Sequence, residues 1–529
     1  MPPRFLRPLL FSLLLLAQAG GAIAQDATFH IKAYSFSGNN LISDTELLDA
    51  TTPYTGNAKV FGDIQKALEA VESLYKKKGY SGIQVSLPEQ EMGDGKVRME
   101  VIETTIGKIT VTGNQHFDQD NILSTLPSLR IGQTPNANQL SENIQLANEN
   151  PSKQVDVVLK IGDKESELDA RVEVKDYAPV SLRVSADNTG NAQTGKDRLG
   201  IAIQHANLFN KDHVATGSYS TSLERPDRTK IYSLSYRLPL YQWGDSMDFI
   251  VGHSDVSSGS SATVAGPLLF SGSGRVYGIR YNHILPRQGV YTHRFVYGLD
   301  QREYDNTCTI AGSALCGAGG ADVTVRPFSI SYNGQWNTPG NTTQLFGSLA
   351  TNIPGGPHGE QSDFTASRPG ATENYTVFRA GISSALGLAN DWQLRGSLNA
   401  QYTSDALVSG EQFGLVGSTA VRGFKERAIA ADKGYYGSIE TYTPELAGGM
   451  ITGSLRLLAF YDFGGGSFNK VPPGLTAKDT VASAGLGVRY SLDRQAYLRF
   501  DTAHVINGGP EGTAQAGSWR GHVNFSMGF

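Results

Sequence analysis

The chain has 529 residues and a formal net charge of −5, with 61 glycines and charged side chains at only 18%, against about 25% in an ordinary soluble chain. The only long apolar run lies near the N-terminus. That excludes a helical membrane bundle but not a transmembrane β-barrel, whose alternating strands average out in any hydropathy window. Two cysteines exclude a disulfide-dense scaffold and a multi-cysteine metal site, and the charge carries no nucleic-acid signature.

Residues 1–24 read as an export leader. Arg4 and Arg7 precede the apolar run Leu9 to Leu16, and Ala22-Ile23-Ala24 supplies small residues for cleavage before Gln25. Loss of the two arginines takes the mature charge to −7. Composition then divides the mature chain. Residues 25–178 hold 15 basic and 23 acidic side chains, an ordinary soluble density, whereas 179–529 hold 28 and 27 together with 48 of the glycines. The boundary falls near Tyr177-Ala178-Pro179.

The N-terminal part reads as two α+β units, 25–104 and 105–178. In the first, Phe29–Tyr34 alternates like a strand, and Ser43-Asp44-Thr45-Glu46 is a capping box opening a short helix. A second helix carries Ile64, Leu68, Val71 and Tyr75 on one stripe and ends at Gly79; strands follow near 83–87 and 97–102. The order β-α-α-β-β repeats at 106–112, 118–126, 137–147, 155–161 and 168–174, a period of about 75 residues. Such a pair in a periplasmic setting resembles POTRA domains. In the first unit, Tyr75-Lys76-Lys77-Lys78-Gly79-Tyr80 and Pro88-Glu89-Gln90 resemble the ShlB-type POTRA pattern. The Lys76–Lys78 run reads as a solvated helix end.

Residues 179–529 count out as sixteen period-2 strands: 181–187, 198–207, 213–224, 229–238, 245–255, 273–284, 291–304, 323–336, 342–352, 373–386, 391–403, 433–443, 453–463, 480–491, 496–505 and 518–529. In the fourth, Tyr232, Leu234, Tyr236 and Leu238 share one face and Ser233, Ser235 and Arg237 the other. Turns such as 210–212, 286–289 and 338–340 are tight, while 256–272, 305–322, 354–372, 404–432, 464–479 and 507–517 are long. Short periplasmic turns and long external loops are the asymmetry of an outer-membrane barrel. The terminal Phe529, on an apolar outward face, resembles a barrel targeting signal. Cys308 and Cys316 fall in one external loop, where an oxidising compartment favours a local disulfide over catalysis or metal binding.

Val421-Arg422-Gly423-Phe424 lies in the sixth long loop, and Phe460-Tyr461-Asp462-Phe463-Gly464 in strand thirteen. Together they resemble the VRG[FY] and F-x-D-x-G motifs of two-partner secretion transporters; Asp187-Asn188-Thr189-Gly190 and Gly195 add to the likeness. Strand parity points Asp462 into the lumen with Arg456, Leu458 and Phe460, and a carboxylate there wants a cation. The resemblance therefore implies that the sixth loop folds inward and that Arg422 pairs with Asp462. Arg489, Arg499 and Asp501 also read as lumen-facing. Only Gln25–Thr28 precede the first strand, so the N-terminal plug helix of well-known members has no room, and the sixth loop alone is expected to occlude the lumen.

The expected protein is an outer-membrane pore with periplasmic POTRA domains that exports a large exoprotein bearing an N-terminal secretion domain. Partner-binding candidates are the strand edge with Val155, Val157 and Leu159 and the helix with Leu140, Ile144 and Ala147. Outer-membrane lipid and, during biogenesis, the barrel-assembly machinery are the other expected partners, with no nucleic acid. The scattered histidines show no metal spacing, and no nucleophile or nucleotide motif stands in a supporting context, so no cofactor, metal or enzyme activity is expected. The alternatives are a barrel-assembly factor, whose commonest type has more POTRA units, and a passive porin, which has none.

Overall fold

The computed structural model describes residues 28–91, 93–164, 166–192, 194–256, 259–270, 273–305, 321–449, 451–471, 476–493 and 495–529. The leader over 1–24, the segment before the first strand and the Cys308–Cys316 pairing lie outside the described residues. The chain divides into two compact units, one ending at Thr104 and the other spanning Thr105–Phe529.

The first unit contains β1 (Phe29–Ile31), β2 (Ala33–Ser37), α1 (Asp44–Thr51), β3 (Gly56–Lys59), α2 (Phe61–Lys77), β4 (Ile83–Ser86) and β5 (Lys96–Glu103). Strand β5 is central, parallel to β2 and antiparallel to β4. Ile64, Val71 and Tyr75 of α2 are buried against Ile31, Tyr34, Val97 and Met99. The tyrosine motif has a physical reason. Gly79, at φ +95°, ends α2, and its N–H and that of Tyr80 donate to the carbonyls of Lys76 (3.0 Å) and Tyr75 (2.9 Å). This is a Schellman cap, and the Tyr75 and Tyr80 rings meet beneath it at 6.4 Å. Gln90 acts as a substitute strand: its amide gives one hydrogen bond to, and accepts one from, the Arg98 backbone (2.8 and 2.7 Å). At the capping box Ser43 accepts from the Glu46 N–H, and the Glu46 carboxylate turns back to Ser43, accepting from its hydroxyl, and pairs with Lys78.

The second β-α-α-β-β assembly comprises β6 (Thr105–Thr112), α3 (Gln119–Ser124), α4 (Ala137–Ala147), β7 (Lys153–Ile161) and β8 (Glu167–Asp176), with sheet order β6-β8-β7. The repeat is legible atom by atom. Gly38 (φ +81°) and Gly113 (φ +86°) each leave their first strand where an added Cβ would lie 2.2 Å from a carbonyl oxygen, that of Val101 or of Val174. Glu103 accepts the N–H groups of Asn40 and Leu41 at 2.8 Å; Asp176 accepts those of His116 and Phe117 at 2.8 and 2.9 Å.

Among the described residues, sixteen antiparallel strands close into a barrel. They run Val180–Asp187, Arg198–Leu208, His213–Thr221, Lys230–Leu240, Asp245–Ser254, Gly274–Gln288, Tyr291–Tyr304, Val323–Thr338, Asn341–Asn352, Thr376–Gly387, Gln393–Tyr402, Lys433–Tyr442, Ser454–Ser467, Lys478–Leu492, Ala496–Asn507 and Trp519–Gly528. The eighth is interrupted at Arg326, whose N–H leaves the ladder for the Asn352 side chain (2.6 Å). Tyr232, Leu234, Ile279, Leu299, Ile330, Leu398, Leu457 and Tyr461 point outward, a lipid-facing band, while Ser233, Ser235, Asp462 and Asp501 are buried inside. The last strand closes on the first from Asn524↔Asp187 to Gly528↔Arg183, and Phe529 exchanges two backbone hydrogen bonds with Leu182 (2.8 and 3.0 Å). Asn188 continues the seam with its side-chain amide, which bonds the Val523 N–H and the Gly521 carbonyl.

Candidate functional site: a loop held across the barrel lumen

The sixth loop leaves strand eleven at Tyr402 and returns at Lys433. Inside the barrel it pairs with itself at Phe413↔Ala431 and Gly414↔Ala430, and its tip carries Val421 to Phe424. Arg422 is 2% exposed. Its Nε and Nη2 donate to the two oxygens of Asp462 at 2.7 and 2.8 Å, and its own backbone N–H adds a third bond to that carboxylate (3.1 Å). Ser438 bridges the pair, and Nη1 lies 2.8 Å from Glu440 and 3.4 Å from Asp501. The guanidinium sits 3.4 Å above the Phe460 ring centre. A bidentate fork between planar groups of opposite charge is the strongest way to hold a buried arginine, and removal of one partner leaves the other charged in a dry site.

The motif residues explain one another. Gly423, at φ +99°, donates its N–H to His522 Nε2 (3.0 Å), and an added Cβ would strike Val505 at 2.9 Å. Gly464 in strand thirteen leaves space that Val421 fills, since a Cβ there would stand 3.1 Å from the valine methyl. Phe424 and Val421 are fully buried with Leu415, Val416, Ile429, Val481 and Val505. Arg489 and Arg499 join through Asp501 (2.7 Å each), and Arg499 also donates to the Ser418 carbonyl of the loop (2.7 Å). A lumen cavity of about 380 Å³ is lined by Arg422, Glu440 and Arg499.

Sequence reasoning missed three features. The third loop does not stay outside: it forms a hairpin, Gly259–Thr263 with Gly266–Phe270, whose Ala262 carbonyl accepts from Ser218 and Ser233 and whose Val264 N–H donates to Ser235 (2.8 Å). Those serines line the lumen, so the sixth loop does not occlude it alone. Next, Glu411 of the sixth loop is buried against Arg302 and Tyr304, and no local pattern announces it. Last, the second β-α-α-β-β assembly is bonded to periplasmic turns and the barrel mouth. Lys153 pairs with Asp212, which also accepts from Asn121 (2.9 Å) and Tyr241 (2.6 Å). Glu149 accepts from Arg294 (2.5 Å) and Arg237 (3.2 Å) beside a cavity of about 720 Å³.

The partner-binding candidates separate accordingly. Leu140, Ala147 and Val155 are core residues of the second assembly, with Ile144 and Val157 packed against them, so the expectation of an accessible helix surface is corrected. The stripe that looked available faces its own sheet, and Asn143 of α4 donates to the Tyr241 carbonyl of a periplasmic turn. Leu159 remains exposed on β7, an edge strand. Among the described residues, no cluster of histidine, cysteine and carboxylate side chains is spaced to hold a metal ion.

Comparison with known proteins decides the family. The family model described as haemolysin secretion/activation protein ShlB/FhaC/HecB matches residues 165–490, and that of the ShlB-type POTRA domain matches 29–104. The chain belongs to the ShlB/FhaC/HecB family. It is a two-partner secretion transporter of the outer membrane, with POTRA domains that are periplasmic in this family. This is a family of secretion channels rather than enzymes. Among its relatives, the outer membrane transporter CdiB of Dickeya dadantii (strain 3937) is 23% identical over 425 residues, 78% of this chain and 72% of the relative. The heme/hemopexin transporter protein HuxB of Haemophilus influenzae (strain 86-028NP) is 21% identical, covering 86% and 79%. The solved structure of CdiB from Escherichia coli shares the fold with a TM-score of 0.75 at 18% identity, over 97% of this chain and 93% of that one.

Proposed function

We propose that this family member exports one large exoprotein through the barrel, with the sixth loop, locked by Arg422 on Asp462, forming the pore's working element. The observation that carries the reading is the burial of that pair: a loop arginine placed 2% exposed against lumen carboxylates is costly unless the loop position matters. The two α+β assemblies would receive the partner's N-terminal secretion domain in the periplasm. The outer edge of β7, free of a strand neighbour on one side among the described residues and bearing exposed Leu159 and Ile161, suits an added strand whose backbone supplies affinity and whose side chains supply choice. The partner would cross extended, and folding outside would drive the passage.

The test compares proteins released by cells with the gene, without it, and with Arg422→Ala. Loss of one large exported protein in the last two, with the variant still running as a heat-modifiable folded barrel, supports the reading. A broad loss of other barrels from the membrane would instead indicate an assembly factor. Unchanged release in both would leave the passive pore.

A further inference from the structure

The sixth loop has a second charged contact of opposite sign. Glu411 is 2% exposed, and its carboxylate accepts from Arg302 Nη1 and Tyr304 Oη at 2.8 Å each, with Arg379 at 3.5 Å. Arg302 is itself oriented by Asp300 (2.6 Å), which Arg280 also holds. The fit is one of shape as well as charge: at Gly410 an added Cβ would meet the Tyr304 ring at 2.3 Å. The Glu411 carbonyl accepts from Gln401 at 3.2 Å, and Arg427 of the returning limb ties down the Ser409 and Gln412 carbonyls.

Position in the closed sheet gives this contact its meaning. Arg302 lies on strand seven and Asp501 on strand fifteen, eight strands apart in a ring of sixteen, so they stand on opposite walls. Within one loop, Glu411 therefore meets arginines, Arg302 of strand seven and Arg379 of strand ten, while Arg422 meets carboxylates, Glu440, Asp462 and Asp501 of strands twelve, thirteen and fifteen. The loop spans the pore with an anion at one end and a cation at the other.

We propose that Glu411 is a positioning residue, the second lock of the sixth loop, which keeps the resting pore closed and neutralises the arginines it meets. The proposal rests on the export reading but is read out without an exported partner. Glu411→Gln keeps the shape and removes the charge. The loss of charge-assisted bonds to two arginines lowers the closed-to-open ratio on the order of tenfold. It also removes one anion from beside Arg302 and Arg379, leaving Asp300 to serve both Arg280 and Arg302, so the open pore shifts towards anion preference.

Full-length protein in planar bilayers under a salt gradient measures both effects. Expected for Glu411→Gln are more frequent openings and a reversal potential displaced towards that of chloride, with Glu411→Asp restoring part of each. A merely structural role would not move the reversal potential. Should Glu411→Gln fail the heat-modifiability check, Arg379→Gln approaches the lock from the wall: openings rise, and the reversal potential moves the opposite way, towards cation preference, because a cation is removed while Glu411 keeps its charge. Openings and reversal potential equal to wild type in the folded variant would overturn the lock while leaving export, and the Arg422 reading, standing.

Discussion

Two lysines, Lys78 at the end of α2 in the first β-α-α-β-β repeat and Lys153 at the start of β7 in the second, are used in different ways. Lys78 pairs with Glu46 of its own unit, at a surface where both side chains remain over a third exposed. Lys153 reaches Asn121, the residue 75 positions beyond Glu46, at 3.1 Å. Asparagine has no charge to offer, and the counter-charge comes from Asp212 in the turn between barrel strands two and three, with both partners of that ion pair essentially buried. Tyr75 and Asn150 repeat the contrast: the tyrosine hydroxyl closes on Glu103 of its own sheet (2.9 Å), whereas Asn150 donates to the Ala206 carbonyl of the barrel (2.7 Å). A duplicated plan has kept its backbone devices and changed the destination of its polar side chains. The first repeat satisfies these groups internally; the second is an integral part of the barrel's periplasmic mouth.

The sharpest way to break that contrast is Asp212→Asn. Asparagine tolerates the left-handed backbone at this position (φ +60°) and keeps the side chain's shape, so the effect is that of charge alone. Lys153 is then left as an unpaired buried cation, and the expected cost is about 3 kcal/mol. Hydrogen exchange should rise throughout α3, α4 and β7 while the barrel strands stay protected. Protection equal to wild type would mean that Lys153 is held by Asn121 and the Phe117 ring, 5.1 Å away, without the barrel's help.

These contacts mark the boundary of what local sequence discloses. The barrel strands were legible because alternation repeats every second residue, and the inward direction of Asp462 followed from that parity. The two transporter motifs located Arg422. Glu411 and Asp212 were invisible because their partners, Arg302 and Lys153, are brought to them by barrel closure and by domain docking, neither of which leaves a periodic trace. Leu140, Ala147 and Val155 were misread for a related reason: a stripe shows which face is apolar, not what covers it. The Gly38-Asn39 and Gly113-Asn114 pairs, by contrast, were a usable signal of the repeat, since both turns need a glycine at positive φ pressed against a carbonyl.

A smaller perturbation sharpens the comparison from the first repeat. Gly79→Ala places a side chain at φ +95°, where the Schellman cap of α2 is made, and should lower the stability of the first unit by about 1 kcal/mol. Denaturation followed by exchange in α1 and α2 checks it. The second repeat has Glu149 at the equivalent position, one past the C-cap Asn148 of α4, and the next N–H, that of Asn150, donates three residues back to Ala147 rather than five, so no matching Schellman cap exists there to lose.

The smallest expected effect has opposite signs in the two repeats. Lys78 holds the Glu46 carboxyl below its ordinary value, chiefly by direct hydrogen bonding, so this stabilisation is present above the ordinary value of 4.5 and is lost as pH falls through the lowered one. Glu142 on α4 goes the other way. Burial raises it, Asp245 at the barrel mouth adds to the rise, and His283 opposes it. Its stabilisation is therefore full below 4.5 and lost as pH climbs through the raised value. Acidification from neutrality should loosen α1 and tighten α4. Exchange rates corrected for their intrinsic pH dependence measure both, with Glu46→Gln and Glu142→Gln each flattening its own response. A common sign in the two helices would mean that the second repeat's carboxylates are solvated like those of the first, and that its attachment to the barrel does not desolvate α4.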